Sequence, residues 1–251
     1  MKPLSFMVKL LIGFPLLLCC HLAQADSLHV AVASNFHSVA IDLAMKFEES
    51  TGKKITLISG STGKHYAQIR YGAPFDVFLA ADSKRPKRLE EKGHAISGSR
   101  FTYAIGKVVL WSPDKTFVDN NGNVLMQEHF RYLAIANPKL APYGRAAQEI
   151  LQSRSLWHKL QKRIVRGENI AQAYQFVKSG NAELGFVAYS QVVQHTQPKS
   201  GSMWMVPTHL YTPVTQQAIL LKESSTAHQF LSFLRSEVAL TVIRNNGYDT
   251  P

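Results

Sequence analysis

The sequence predicts an α/β protein built as two lobes, and three observations support this prediction. Short apolar strands alternate with amphipathic helices through most of the chain, a pattern typical of α/β folds. Four strand-to-helix junctions share one chemistry, because each is rich in Ser, Thr, Asn or Gly. The extended run at residues 101–111 is too long for one ordinary strand in a compact sheet, so we expect it to pass between the lobes.

The first lobe is predicted to open with a nearly unbroken apolar strand at Leu28–Ala33. The helix that follows carries Val39, Leu43 and Phe47 on one face and stops at Gly52. The next elements are predicted as a strand at 55–59, a short helix with Tyr66 and Ile69 on its buried side, a strand at Val77–Ala80 and a polar helix that ends at Gly93.

The second lobe is predicted to continue the alternation after the crossing run. Its elements are strands at Leu133–Ala136, 164–165 and Leu184–Ala188 and helices at 144–152 and Ile170–Lys178. A return strand at 215–221 and two closing helices bring the chain back to the first lobe. We therefore assign residues 26–106 with 212–251 to the first lobe and residues 107–211 to the second.

Residues 1–25 have the pattern of a secretory signal peptide. Lys2 and Lys9 precede an apolar run at 10–18, and Ala23-Gln24-Ala25 forms a small-x-small cleavage site. The run is shorter than the roughly 18 uncharged residues of a membrane span, so we expect cleavage near Ala25 and export to the periplasm. Cys19 and Cys20 suggest a lipid anchor as the less favoured alternative, because leucines precede them where such a signal has a small residue.

Composition excludes several kinds of site. Both cysteines lie in the leader, so the mature chain is predicted to lack disulfides and thiolate ligands. Loss of Lys2 and Lys9 with the leader lowers the formal charge from +11 to +9. The basic residues are scattered instead of interleaved with aromatic residues, so we expect no nucleic acid partner. The positive field would still raise the arrival rate of anions.

The four junctions lie at Ser34-Asn35, at residues 59–64, at residues 141–144 and at residues 167–170. Each presents free backbone N–H groups and small polar side chains at the positive end of a helix, which favours an anion. A single junction of this kind is usually a helix cap. Because two junctions fall in each lobe, at strand ends that face the cleft, together they predict an oxyanion pocket.

This pocket is predicted to be neutral. Lys64 and Arg145 are the cations nearest the junctions, and both are expected to lie inside helices. A neutral cage suits an anion that is fully deprotonated, whereas protonated phosphate requires a carboxylate acceptor. Glu168 is the carboxylate that adjoins a junction, and we expect it to serve as a first-turn acid of the next helix. The hydroxyl of Tyr143 is predicted to donate to the ligand.

Catalytic and metal sites are not predicted. Asp76 and Asp82 open a strand and a helix, where capping or interlobe hydrogen bonding is the favoured interpretation. The ten histidines are dispersed, without the spacing of a metal site. We find neither a nucleophile elbow nor a Walker loop. The sequence therefore predicts a binding protein without catalytic residues, cofactor or cation site.

Six segments of the chain, taken in order, resemble one known family. They are residues 30–36, 59–64 with 66–69, 72–78 with 81–82, 101–107, 137–138 with 141–144, and 168–173 with 184–187, and they include most of the residues of the four junctions. Together they resemble the periplasmic molybdate-binding proteins that serve ABC importers. This resemblance implies a type II solute-binding fold, with two mixed, mainly parallel sheets flanked by helices and hinged by two crossing strands.

The resemblance also implies which residues bind the ligand. These are Ser34 and Asn35, the hydroxyl of Thr62, the phenol of Tyr143 and the backbone N–H of Ile170, with Ser61, Gly63 and Asn169 as secondary candidates. Thr62 stands where many members have serine. Ala188 stands where some members have a tyrosine, which leaves Tyr143 as the expected phenol donor and puts a ligand role for Tyr189 in doubt.

The function that the resemblance implies is that of a monomeric receptor for molybdate, and for tungstate of the same charge and shape. The receptor would deliver its cargo to an ABC permease in the inner membrane. Two alternatives remain open at this point: a receptor for another tetrahedral oxyanion such as sulfate or phosphate and, less favoured, an exported hydrolase.

Overall fold

The computed structural model describes residues 27–127, 129–193 and 201–251. The predicted signal peptide at residues 1–25 lies outside these described residues. Within them, we find no helix with both the length and the apolar character that crossing a membrane requires.

Strands and helices alternate along the described part of the chain. The strands are β1 (Leu28–Ala33), β2 (Ile55–Gly60), β3 (Val77–Ala80), β4 (Phe101–Gly106), β5 (Val108–Ser112), β6 (Leu133–Ala136), β7 (Ile164–Gly167), β8 (Leu184–Ala188), β9 (Ser202–Met205) and β10 (Val214–Leu220). The helices are α1 (His37–Thr51), α2 (Thr62–Arg70), α3 (Lys84–Glu91), α4 (Val124–Gln127), α5 (Pro142–Ser153), α6 (Ile170–Lys178), α7 (Tyr189–Val192), α8 (Ser225–Leu234) and α9 (Glu237–Asn245).

The strands form two five-stranded sheets, in the orders β2-β1-β3-β10-β4 and β7-β6-β8-β5-β9. In the first sheet, β1 is parallel to β2 and β3, whereas β10 runs antiparallel between β3 and β4. In the second, β6 is parallel to β7 and β8, whereas β5 runs antiparallel between β8 and β9. We refer to each sheet with its flanking helices as a lobe.

The predicted α/β fold with two mixed, mainly parallel sheets is confirmed, because four of the five strands in each sheet run in one direction. The reversed strand has the same origin in both lobes. One strand that arrives from the other lobe, β10 in the first sheet and β5 in the second, enters antiparallel to its neighbours.

The predicted crossing run passes between the two sheets. It divides at Lys107, with β4 in the first sheet and β5 in the second. Gly106 pairs with Val214 of β10, and Val108 pairs with Ala188 of β8. The chain returns to the first lobe between β9 and β10, so two crossings connect the lobes.

Helices cover both faces of each sheet. In the first lobe, α1, α8 and α9 pack on one face around Phe47 and Phe230, and α2 and α3 pack on the other around Ile69 and Leu89. In the second lobe, α5 and α6 lie on opposite faces. The core beneath α5 continues to Ala33 and Ala81 of the first lobe, so the two lobes touch through apolar contacts beside the cleft.

Candidate functional site

A small cavity lies between the lobes, where the four junctions meet. Seven of the predicted site residues line it: Ser34, Asn35, Ser61, Thr62, Tyr143, Asn169 and Ile170. The other lining residues are alanine, glycine and proline, so no lining residue carries a charge. Gly63 is the predicted residue that does not line the cavity.

The cavity is small. The centre of a water-sized sphere has about 10 Å³ in which to move within it, far less than the several hundred Å³ typical of a pocket for a drug-sized ligand. Its size therefore suits a small ion.

The first junction follows β1. The side-chain amide of Asn35 donates to Gln216 Oε1 at 2.9 Å and to Tyr248 Oη at 3.1 Å, so both of its hydrogens are used within the protein. Within the described residues, the backbone N–H of Asn35 and the hydroxyl of Ser34 have no hydrogen-bond partner. The groups that this junction can offer a ligand are therefore one hydroxyl and one backbone N–H.

The second junction joins β2 to α2. Ser61 caps the helix, and its Oγ accepts from the N–H of Lys64 at 3.3 Å. The Oγ1 of Thr62 accepts from the N–H of Ala81 at 3.1 Å, which leaves the hydroxyl proton to donate elsewhere. The N–H of Gly63 donates across the cleft to the carbonyl of Leu140 at 2.8 Å, so Gly63 joins the lobes.

The third junction joins β6 to α5. Tyr143 lies in the first turn of α5, directly after Pro142 at the helix start. Its side chain is 1% exposed, and burial raises the pKa of its phenol well above the ordinary value, so Tyr143 remains a neutral donor. The hydroxyl has no hydrogen-bond partner in the described part of the chain, a rare condition for a buried polar atom.

The fourth junction joins β7 to α6. Asn169 caps this helix, and its Oδ1 accepts from the N–H of Gln172 at 3.0 Å. Ile170 is the first helical residue, so its N–H has no partner within the helix. On this side of the cavity, α6 therefore presents the backbone N–H of Ile170 and the positive end of its helix dipole.

Charged residues surround the cavity without entering its lining. Lys64 of the first lobe pairs with Glu168 of the second at 3.1 Å, and Arg145 pairs with Glu149 at 3.8 Å. The prediction that Glu168 is a first-turn acid is wrong, because α6 begins two residues later and Glu168 precedes its cap. Its carboxylate instead belongs to an ion pair between the lobes.

The two aspartates considered as catalytic candidates have structural contacts. Asp76 Oδ2 accepts from the N–H of His29 at 2.8 Å. Asp82 accepts from the N–H of Arg85 at 2.9 Å and from its guanidinium at 2.5 Å. Arg85 in turn donates to the carbonyl of Lys139 at 3.1 Å, so Asp82 supports an interlobe contact, as predicted. Among the described residues, no group of three or more His, Cys, Asp or Glu is placed to hold a metal ion.

A buried polar network, which was not predicted from the sequence, lies behind the cavity. Gln216 Oε1 accepts from Asn35 and from the hydroxyl of Tyr103 at 3.1 Å. Tyr248 Oη donates to the carbonyl of Asn35 at 2.8 Å, and Ser190 Oγ donates to Tyr248 Oη at 2.8 Å. Burial raises the pKa of Tyr248 to about 12. The available signal was the glutamine pair at 216–217, which interrupts a mainly apolar strand.

Comparisons with known proteins identify relatives of this chain. The model of the bacterial extracellular solute-binding protein family matches residues 28–249. The molybdate-binding protein ModA of Azotobacter vinelandii is 47% identical over 240 residues, which cover 94% of this chain and 94% of that protein. The molybdate-binding protein ModA of Rhodobacter capsulatus is 47% identical over 231 residues, 91% of this chain and 90% of that protein.

A solved structure shows the same architecture. The periplasmic molybdate-binding protein of Azotobacter vinelandii superposes with a TM-score of 0.87 at 43% sequence identity, covering 90% of this chain and 100% of that one. A substrate-binding domain of a putative molybdenum ABC transporter from Clostridium difficile superposes with a TM-score of 0.67 at 25% identity, covering 90% of this chain and 99% of that one.

Proposed function

Because the chain belongs to the family of bacterial extracellular solute-binding proteins, we propose that it is an exported receptor for molybdate that serves an ABC-type importer. The relatives named as molybdate-binding proteins support this choice of ligand. The ligand would occupy the cavity between the lobes, and the loaded protein would deliver it to a membrane permease.

The observation that carries the proposal is the convergence of unpartnered donors in a small neutral cavity. We propose that Ser34 Oγ, Thr62 Oγ1, Tyr143 Oη and the backbone N–H groups of Asn35 and Ile170 bind the ligand oxygens, with Ser61 and Asn169 as secondary contacts. An unpaired buried donor costs about 1–3 kcal/mol. An oxyanion would remove this cost at several positions together, above all at the buried hydroxyl of Tyr143.

Helix N-termini supply the positive potential that the neutral side chains lack. The first turns of α2, α5 and α6 all contribute residues to the cavity lining. Each such end carries about half a positive elementary charge. A doubly negative tetrahedral ion therefore suits the cavity without a lysine or arginine contact.

Charge state and size argue for molybdate over the common tetrahedral anions. No lining residue is a carboxylate, so the proton of hydrogen phosphate would find no acceptor there. Hydrogen-bond donors that are placed to fit the larger molybdate ion would lie too far from the oxygens of the smaller sulfate ion. The optimal distance from donor atom to oxygen, about 2.7–3.2 Å, would then be exceeded. We propose that tungstate, which shares the charge and shape of molybdate, is also bound.

The remaining assignments follow from the same proposal. We propose cleavage of the leader near Ala25, a periplasmic location, a monomeric state and no enzymatic reaction or resident cofactor. We further propose residues 26–106 with 212–251 and residues 107–211 as the two lobes, a division supported by the membership of the two sheets.

Calorimetric titration with molybdate, tungstate, sulfate and phosphate tests the ligand. We expect tight binding of the first two anions and weak or absent binding of the others. Tight binding of phosphate alone would refute the proposal. Native mass spectrometry of the purified protein gives an independent answer, since the mass of a retained anion identifies it. A catalysed turnover with no anion affinity would favour the hydrolase alternative.

A further inference from the structure

Two buried side-chain atoms in the described part of the chain lack a hydrogen-bond partner: Tyr143 Oη and Gln216 Nε2. The proposed function accounts for the hydroxyl of Tyr143, which lines the cavity. It does not account for Gln216, which is fully buried and does not belong to the lining. A buried, unpaired amide donor is costly, so its position requires a reason.

The orientation of the Gln216 amide is fixed by its neighbours. Its Oε1 accepts from the side-chain amide of Asn35 at 2.9 Å and from the hydroxyl of Tyr103 at 3.1 Å. Tyr248 Oη gives its proton to the carbonyl of Asn35 at 2.8 Å, so it accepts from the Asn35 side-chain amide. The NH₂ group of Asn35 therefore also faces Gln216, and the NH₂ group of Gln216 faces away from Asn35.

The two unpaired atoms lie against the same glycine. A Cβ added to Gly106 would lie 2.1 Å from Tyr143 Oη and 2.9 Å from Gln216 Nε2. The hydroxyl and the amide therefore share the space that a side chain at residue 106 would fill. The two atoms do not have hydrogen-bond geometry towards each other, yet the amide of Gln216 is close enough to lower the pKa of the Tyr143 phenol as a hydrogen-bond donor does.

The chemistry of the two groups determines what such a bond would do. An amide NH₂ group donates and cannot accept, whereas a phenol hydroxyl can do both. If Gln216 donates to Tyr143 Oη, the phenol proton is left to point into the cavity. Tyr143 then acts towards the ligand only as a hydrogen-bond donor. This suits an oxyanion without protons and disfavours a protonated oxyanion, which would need an acceptor for its own proton.

We propose that Gln216 is a positioning residue for the ligand, which donates to Tyr143 Oη and thereby directs the phenol proton towards the bound oxyanion. This inference rests on the proposed function, since it needs an anion in the cavity. According to this inference, a residue outside the cavity lining also contributes to the specificity for deprotonated anions.

The electrostatics of Tyr143 agree with this placement. Burial raises the pKa of its phenol, and the hydroxyls of Tyr248, Tyr211 and Tyr103 act in the same direction. The amide of Gln216 acts in the opposite direction, as expected of a neighbouring donor that favours electron density on the phenol oxygen.

A double-mutant cycle tests the inference by calorimetric titration with molybdate. We expect Tyr143→Phe and Gln216→Met each to weaken binding by about tenfold, as for a lost bond to a charged group. Because Gln216 acts through the phenol hydroxyl, the double variant should bind within about threefold of Tyr143→Phe. If the two effects instead multiply, Gln216 acts through Asn35, and the inference is wrong.

The chain offers a matched control on the same strand. Gln217 is also buried but bonds to Arg100 at 2.9 Å and to Thr102 at 3.2 Å, away from Tyr143. We expect Gln217→Met to keep the wild-type affinity for molybdate. An affinity loss as large as that of Gln216→Met would overturn the inference, because it would reflect general damage to the strand.

A second variant covers the case in which Gln216→Met does not fold. Gly106→Ala keeps Gln216, but its Cβ would lie 2.1 Å from the phenol oxygen and 2.9 Å from the amide nitrogen. We therefore expect a loss of about tenfold, which falls to about threefold in the Tyr143→Phe background because the nearest contact is removed there. An undiminished loss in that background would count against the inference. If the wild-type protein does not bind molybdate, the proposed function fails instead, which distinguishes the two failures.

Discussion

Thr62 is the residue at which a ligand role can be separated from a structural one. Its Oγ1 accepts from the N–H of Ala81 at 3.1 Å, which requires the oxygen. Its proton is not needed for that contact and is the part we assign to the ligand. Removal of the hydroxyl therefore has two effects, one on the junction and one on binding.

We predict that Thr62→Val raises the dissociation constant for molybdate by at least about tenfold, because a charge-assisted hydrogen bond is lost. Thr62→Ser keeps the hydroxyl and should bind within about threefold of the wild type, a limit set by the loss of one methyl group. Calorimetric titration measures both constants. The control is Thr241→Val, an exposed position on α9. Wild-type affinity in Thr62→Val would remove Thr62 from the site.

The residues that line the cavity could be predicted from the sequence because their signal is local. Ser61 and Asn169 are cap residues directly before helices, and the structure shows both as caps. The partners of Asn35 have no local signal. Gln216 and Tyr248 lie 181 and 213 positions further along the chain, so the engagement of the Asn35 amide could not be deduced from its own segment.

At the scale of elements, the buried strands and the amphipathic helix α6 were predicted most accurately. The predicted bounds are correct for strands Val77–Ala80 and Leu184–Ala188 and for helix Ile170–Lys178. An uninterrupted apolar run defines each strand, and a capping residue marks the start of the helix. Helix α5 begins two residues earlier than predicted, since Pro142 occupies its first position. Strand β9 was missed, because four residues with alternating burial give too short a pattern.

Helix α2 contains a buried histidine that links stability to pH. The ring of His65 lies within hydrogen-bond distance of Val32 O at 3.3 Å and Gln68 Oε1 at 3.0 Å. It packs beneath Gly60, where a Cβ would lie 2.8 Å from Nε2. Burial, aided by the charge of Lys64, lowers the pKa of His65 below its ordinary value of 6.5. The folded protein therefore favours the neutral ring.

We predict that the ligand-free protein loses stability as pH falls below about 6.5, because the unfolded chain protonates His65 before the folded chain does. The contribution of the neutral His65 ring to the free energy of unfolding is complete above a pH of about 6.5. It is lost as the pH falls towards the lowered pKa of His65 in the folded protein. Thermal unfolding at a series of pH values should show a smaller acid-dependent decrease in Tm for His65→Gln. The exposed control His158→Gln should follow the wild type. Identical slopes for His65→Gln and the wild type would contradict the prediction.

At the scale of the whole molecule, the structure shows a closed arrangement held by several contacts between the lobes. They include the ion pair of Lys64 with Glu168 at 3.1 Å and the bond from Gly63 to Leu140 at 2.8 Å. The ion pair is about half exposed, so it contributes little by itself. Separation of the lobes would break these contacts, so together they favour the closed arrangement.

The contact most suited to coupling closure with binding is the bond from Ser190 to Tyr248. Ser190 belongs to α7 of the second lobe, whereas Tyr248 lies in the C-terminal segment that pairs with β4 of the first lobe. Its Oγ donates to Tyr248 Oη at 2.8 Å, and that hydroxyl donates to the carbonyl of Asn35. Neither Ser190 nor Tyr248 lines the cavity, so the bond affects the ligand indirectly, and the most direct route is through the position of the lobes and of Asn35.

We predict that Ser190→Ala weakens molybdate binding by about fivefold, the value of one neutral hydrogen bond lost from the closed state. The loss should appear as faster dissociation, since closure follows encounter with the anion. Stopped-flow displacement of molybdate by excess tungstate measures that rate. Ser232→Ala, an exposed change on α8, is the matched control and should release the anion at the wild-type rate. An unchanged rate in Ser190→Ala would show that the contact does not contribute to closure, whereas a lower association rate alone would place its effect in the open protein.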